Sequence, residues 1–279
     1  MDNPEKASPS GRTSPRQRLQ TAGILILIFV GFFLSTPDWL LCAVGILVVL
    51  VAAWEYFEMT DRLQSRGDRA LCLLLAGLFP LAAYVGKRDC LYGTVFLSFL
   101  VLSFRSVLSA GEIGDRYQSL NRRLYGVLYT GFTLSHFLLM TDIGDWRRWI
   151  FAVLIVIYLG DGAAYFAGTY LGKRPLAGRL SPRKTWEGAI GGLAGSVAGI
   201  YVCKLLFLPG ITVNGALVFS VVLAVCGQLG DLAESLIKRH YQLKDSGHVL
   251  PGHGGILDRI DSLLFAVPAA YYLILFLQG

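Results

Sequence analysis

Nine runs of apolar residues, each about the length that crosses the hydrocarbon core of a bilayer, leave this chain little choice of fold. They lie at roughly 22–36, 39–57, 70–86, 91–110, 124–141, 149–171, 187–208, 213–237 and 262–278. The expectation is an all-α polytopic membrane protein with about nine transmembrane helices. Composition agrees: 54% of residues are hydrophobic and 16% charged, too few charges to cover a soluble domain of 279 residues. The first run is short and ends at Pro37, so it can tilt or form a hairpin with the second. Its basic approach (Arg12, Arg16, Arg18) is that of a signal peptide, but "FLSTPDW" offers no small-residue cleavage site, and it is read as a retained span.

Charge orients the spans. With the N-terminus inside, the inner segments carry nineteen Lys and Arg, and the outer ones only Lys87, Arg88, Arg147 and Arg148. That asymmetry predicts a cytoplasmic N-terminus. The net charge of +6 is then chiefly a topology signal that also suits an anionic membrane surface or anionic substrates, and it gives no reason to expect nucleic acid. Residues 1–18, rich in Pro, Ser and charge, read as a disordered cytoplasmic tail. The five cysteines are scattered without a CxxC pair and read as small apolar residues.

The two halves differ. Across 19–150 the spans are ordinary, and Glu55 and Glu58, near a span end, read as solvated. Across 151–279 polar residues enter the spans: Asp161 interrupts "IVIYLGDGAAYFAG" and Asp231 interrupts "VCGQLGDLAES". A carboxylate near the bilayer centre costs about 2.5–3.5 kcal/mol on insertion scales, so it persists where it meets a partner or a polar cavity. The second half is therefore the expected catalytic domain. Gly191, Gly195 and Gly199 recur every four residues and form a face for close helix packing, within the subunit or at a dimer seam.

The densest polar stretch is "SLIKRHYQLKDSGHVLPGHGGILDRIDS", residues 235–262. On a helix Asp231, Glu234, Ser235 and Lys238 share a face, with Arg239 beside them. Glycine and proline break the middle into a loop, and Asp258 and Asp261 open the last helix at i, i+3. Asp231, Asp258 and Asp261 can converge across two helices. Oxygen donors with room for water and substrate phosphate suit Mg²⁺. Lys238, Arg239, Lys244 and Arg259 would neutralise phosphate oxygens, and Lys184, in "GKRPLAGRLSPRKTWEG" (172–188), could hold an anion at a helix start. Metal-binding carboxylates beside phosphate-binding cations point to phosphoryl or nucleotidyl transfer. His253 reads as a phosphate or loop contact, because a phosphomonoester near pH 7 needs no base. "GTYLGKR" lacks the spacing and the Ser/Thr of a P-loop.

The stretch 235–261 resembles the signature of the phosphatidate cytidylyltransferase (CDP-diacylglycerol synthase) family. "SPRKTWEG" (181–188) is similar to a second motif, "GDLAES" (230–235) to the lead-in, and "GDGAAYFAGTYLGK" (160–173) to a further segment, so the likeness covers about 155–265. It implies that CTP and phosphatidic acid are converted to CDP-diacylglycerol and pyrophosphate by a Mg²⁺-dependent homodimer, with room for a second, monovalent cation such as K⁺. It implies catalytic roles for Asp231, Lys238, Arg239, Lys244, Asp245, His253, Asp258, Arg259 and Asp261, with Asp231, Asp258 and Asp261 on the metal. Asp245 would orient Lys244 or Arg259. Ser181, Lys184, Thr185, Glu187, Ser235, Gly254 and Gly255 would bind substrate. The expected location is a bacterial inner membrane with the site on its cytoplasmic face. Two other classes share parts of the pattern: a lipid or polyprenol kinase using CTP, and an ion-coupled transporter with Asp161 and Asp231 in its path.

Overall fold

The computed structural model describes residues 35–60, 65–247, 249 and 254–278. The predicted tail and, but for its last two positions, the predicted span 22–36 lie outside the described residues, as does His253. Among the described residues from Asp38 on, the regular elements are helical apart from one short ribbon: α1 Asp38–Thr60, α2 Arg66–Leu108, α3 Ile113–Val127, a π-helical turn Leu128–Phe132, α4 Thr133–Leu139, a 3-10 turn Met140–Asp142, α5 Trp146–Leu171, the strands β1 Pro175–Ala177 and β2 Ser181–Thr185, α6 Trp186–Leu206, α7 Val213–His240 and α8 Leu257–Gln278. Six of these (α1, α2, α5, α6, α7 and α8) are long and apolar enough to cross a membrane.

The 43-residue α2 is two arms, which is why two spans were expected there. Lys87 has φ 57° and ψ −146°, and the neighbouring Gly86 has no room for a Cβ against the Cys90 thiol, so the chain reverses at this point. The reversal brings Arg105, near the end of α2, onto Asp68 near its start, with Nε 2.8 Å from the carboxylate. Arg123 of α3 reaches the same Asp68 at 3.0 Å. At the other end Lys87 pairs with Asp142. The predicted span 124–141 falls in the helical run from α3 through α4, which begins at Ile113 because the polar turns before the apolar stretch are helical too.

Caps follow the sequence. Ser65, Thr185 and Thr212 each accept a hydrogen bond from the backbone N–H three residues on, starting α2, α6 and α7. The antiparallel pair β1–β2 was not expected; it is the one sheet among the described residues. The carboxylate of Glu187 closes its base, accepting from the N–H groups of Lys173 (3.0 Å) and Arg174 (3.2 Å).

The glycine face of α6 is spent inside the subunit, against α5. A Cβ on Gly191 would strike the Ala167 methyl, and one on Gly195 would strike Ala163 and lie 2.8 Å from the Leu159 carbonyl. Ser196 donates across the same seam to the Val156 carbonyl at 2.9 Å. The cysteines are free thiols, as expected.

Gly195→Val should therefore lower the thermal unfolding midpoint of the detergent-solubilised protein by the equivalent of about 1–3 kcal/mol, the usual cost of overpacking. Gly93→Ala, where a Cβ meets nothing within 4 Å, should leave the midpoint unchanged or raised.

Candidate active site

A cavity of about 890 Å³ opens among α5, the β-hairpin, α6, α7 and α8. Helical spacing supplies its lining. Tyr158, Asp161 and Tyr165 come from one face of α5, Gln228 and Asp231 from α7, and Asp258, Asp261 and Ser262 from the first turns of α8. Ser181, Arg183 and Lys184 come from β2, and Arg259 completes the basic side.

Two helix backbones meet here. A Cβ on Gly230 would strike the carbonyl oxygen of Asp261, so only glycine allows α7 and α8 to approach this closely, next to the residues that carry the carboxylates. Asp231 forms an ion pair with Lys184 and a long contact with Ser235 Oγ at 3.5 Å. Ser262 Oγ lies 3.5 Å from both the Asp161 and the Asp261 carboxylates. Asp161 and Asp261 each sit within Coulombic reach of Asp231 and Lys184. Three acids from three helices thus face one space, with a lysine among them. Among the described residues, no three His, Cys, Asp or Glu side chains are already gathered as a metal cluster.

The sequence-predicted residues divide into those facing the cavity and those building its frame. Asp231, Asp261, Ser181, Lys184 and Arg259 line it. Asp258 also borders it, but its oxygens are engaged: they accept from Lys238 Nζ (2.7 Å), Gly255 N–H (2.9 Å) and Ser246 N–H (3.0 Å). Lys238, expected on phosphate, is held between Asp258 and the fully buried Glu234, whose Oε2 lies 2.6 Å away. Arg239 donates to the Leu180 and Leu243 carbonyls, tying the hairpin to the end of α7. Thr185 lines the cavity as well as capping α6, and Glu187 closes the hairpin. Gly254, at φ 80°, passes tightly over the Asp258 carboxylate, and Gly255 passes as tightly over Ser246 and Glu55. Lys244 and Asp245 stand exposed beyond the cavity wall.

Sequence reasoning singled out Asp161 as unusual without placing it in the site; its interruption of an apolar run was the signal. Gln228, three residues before Asp231 in the same run, and Ser262, next to Asp261, offered weaker signals of the same kind. Glu55 was misread. It is 2% exposed, and its carboxylate accepts from the N–H groups of Ile256 (3.0 Å) and Leu257 (2.8 Å) at the start of α8. Those partners are far away in sequence, so nothing near Glu55 could reveal them.

The chain is similar to known proteins along most of its length. The profile of the Cytidylyltransferase family matches residues 16–277. A Thermotoga maritima protein named phosphatidate cytidylyltransferase is 31% identical over 278 residues, 95% of this chain and 97% of that protein. One of the same name from Staphylococcus epidermidis is 35% identical over 254 residues, 90% of this chain and 95% of its own length. A third, from Bacillus subtilis, is 43% identical over 148 residues, spanning 53% of this chain and 55% of that protein. With apolar helices that can span a bilayer, a polar cavity walled by the signature segments, and near full-length similarity, this chain belongs to the phosphatidate cytidylyltransferase family.

Proposed function

We propose that the cavity is where this phosphatidate cytidylyltransferase joins CTP to phosphatidate, making CDP-diacylglycerol and pyrophosphate. The observation that carries the reading is the meeting, in one cavity, of carboxylates from α5, α7 and α8 with Arg183, Lys184 and Arg259. Nucleotidyl transfer between two polyanions needs that mixture. Cations collect the phosphates, and acids hold the metal that accompanies a nucleoside triphosphate.

An ionised oxygen of the phosphatidate monoester attacks the α-phosphorus of CTP. A new P–O bond forms, the bond from the α-phosphorus to the α,β-bridging oxygen breaks, and its electron pair leaves with pyrophosphate. No side chain need take a proton, because the monoester is already largely ionised near pH 7. Arg183, Lys184 and Arg259 bind the phosphate oxygens and hold nucleophile and leaving group in position. Lys184, paired with Asp231, bridges the basic and acidic sides.

The acids fit Mg²⁺: their donors are oxygens only, they come from separate helices, and water and phosphate have room to complete the shell. Asp161, Asp231 and Asp261 would hold it. Asp161 takes the place first expected for Asp258, whose oxygens the loop and Lys238 already occupy. Bound there, the ion would neutralise charge on the triphosphate as pyrophosphate departs.

The positive-inside asymmetry, together with the family's bacterial relatives, supports an inner-membrane location with this cavity on the cytoplasmic face. CTP would then arrive from water while the acyl chains stay in lipid. Expected homodimerisation rests on the family resemblance alone.

The test is pyrophosphate release by the purified protein in phosphatidate-containing micelles with CTP and Mg²⁺. Release should require both substrates and yield CDP-diacylglycerol; CDP with a further phosphorylated lipid would contradict the reading. Asp261→Asn should lower kcat by about 100-fold or more while the protein stays folded. Lys184→Ala should cost about 10- to 100-fold in kcat/KM, the worth of one charge-assisted hydrogen bond, and unchanged kinetics would remove it from the site.

A further inference from the structure

We propose that Glu55 is a positioning residue for the transfer reaction: from the N-terminal half it holds the signature loop and the start of α8 so that Arg259 and Asp261 face the cavity. Glu55 lies in the last turns of α1, outside the family-signature segments and outside the cavity wall. Yet, among the described residues, its carboxylate makes three contacts, all to the signature region. The N–H groups of Ile256 and Leu257 donate to it, and Ser246 Oγ lies 3.4 Å away. The chain on either side passes close to it: a Cβ on Gly247 would come 2.7 Å from one Glu55 oxygen, and one on Gly255 would come 2.6 Å from the other.

Two features make this more than a packing contact. Glu55 accepts from two N–H groups at the N-terminus of α8, which have no carbonyl partner within the helix and where a negative charge is favoured by the helix dipole. It thereby fills the place that a substrate phosphate could otherwise take at that terminus, so phosphates are left to the Lys184 side. Second, Ser246 and the 255–257 turn are pinned from both directions. Asp258 accepts from the Ser246 and Gly255 N–H groups on one side, and Glu55 takes the Ser246 hydroxyl and the next two amides on the other. Arg259 and Asp261 follow within one helical turn, so a shift of the α8 start would carry both. Misplacement of reacting groups by about 1 Å can cost 100-fold in rate.

The proposal rests on the cavity being the transfer site, and its test has a readout that does not. In the wild-type protein, hydrogen exchange should show the Ile256 and Leu257 amides protected; exchange as fast as an open loop would overturn the proposal whatever the enzyme does. In Glu55→Gln the same amides should exchange faster. Its kcat per folded enzyme should fall about tenfold or more, with KM for CTP within about twofold of wild type. Glu58→Gln, which removes only the exposed pair with Arg69, should change neither quantity. Ser246→Ala keeps the buried carboxylate on its two amides and should give a smaller loss of kcat in the same direction. A Glu55→Gln enzyme with normal kcat, or one whose loss matches only the fraction unfolded, would reduce Glu55 to a structural residue.

Discussion

A carboxylate inside a membrane protein must be matched, because an unpaired charge at that depth costs more than any one helix contact returns. Much of this fold is arranged to meet that demand. Asp68 is met by Arg105 and Arg123, which joins the two arms of α2 to α3. Glu234 and Asp258 share Lys238, which joins α7 to α8. Glu55 is met by backbone amides of α8. Asp231 is met by Lys184, which fastens the hairpin over the cavity. Among these, Asp231 and Lys184 differ in that both still face open space; their partners inside the protein are ones that a nucleotide and a metal could exchange.

Close approach of helices is the second ingredient. Small residues let α6 seat on α5 and let α7 touch α8 through Gly230, so polar groups from separate helices come into reach without a wide, wet gap. The cavity lies where the hairpin and the start of α8 bring their charges beside α5 and α7. A substrate with a charged head and apolar tails suits such a place, since its two parts ask for the two environments that meet there.

The sequence made the helical runs and the class of chemistry legible, because both are local patterns; nine spans were expected, and six helices among the described residues are long and apolar enough to cross a membrane. Apolar run length marked eight of the helical stretches seen from Asp38 on, including the break at Gly86 and Lys87. A carboxylate inside such a run marked Asp161 and Asp231, and spacing put Asp258 and Asp261 on one face. Partner choice was not legible. Asp258, Lys238, Arg239 and Glu187 have the residue types of a phosphate and metal site, and their contacts among the described residues are to the frame, although Asp258 also borders the cavity. A charge cannot tell from its neighbours in sequence whether a ligand or a loop will claim it. Glu55 is the extreme case: its partner Leu257 is 202 residues away. The hairpin was hidden for a related reason, since Glu187, which closes it, lies beyond the second strand.

The central claim is that Asp161, Asp231 and Asp261, and not Asp258, meet the metal and the triphosphate. The most direct measurement is a structure of the protein with CTP and Mn²⁺ in place of Mg²⁺, the ion located by its anomalous scattering. The account predicts the ion among Asp161, Asp231 and Asp261, with the triphosphate reaching Lys184 and Asp258 still bound to Lys238. An ion held by Asp258 with Lys238 displaced, or a triphosphate bound away from this cavity, would contradict it.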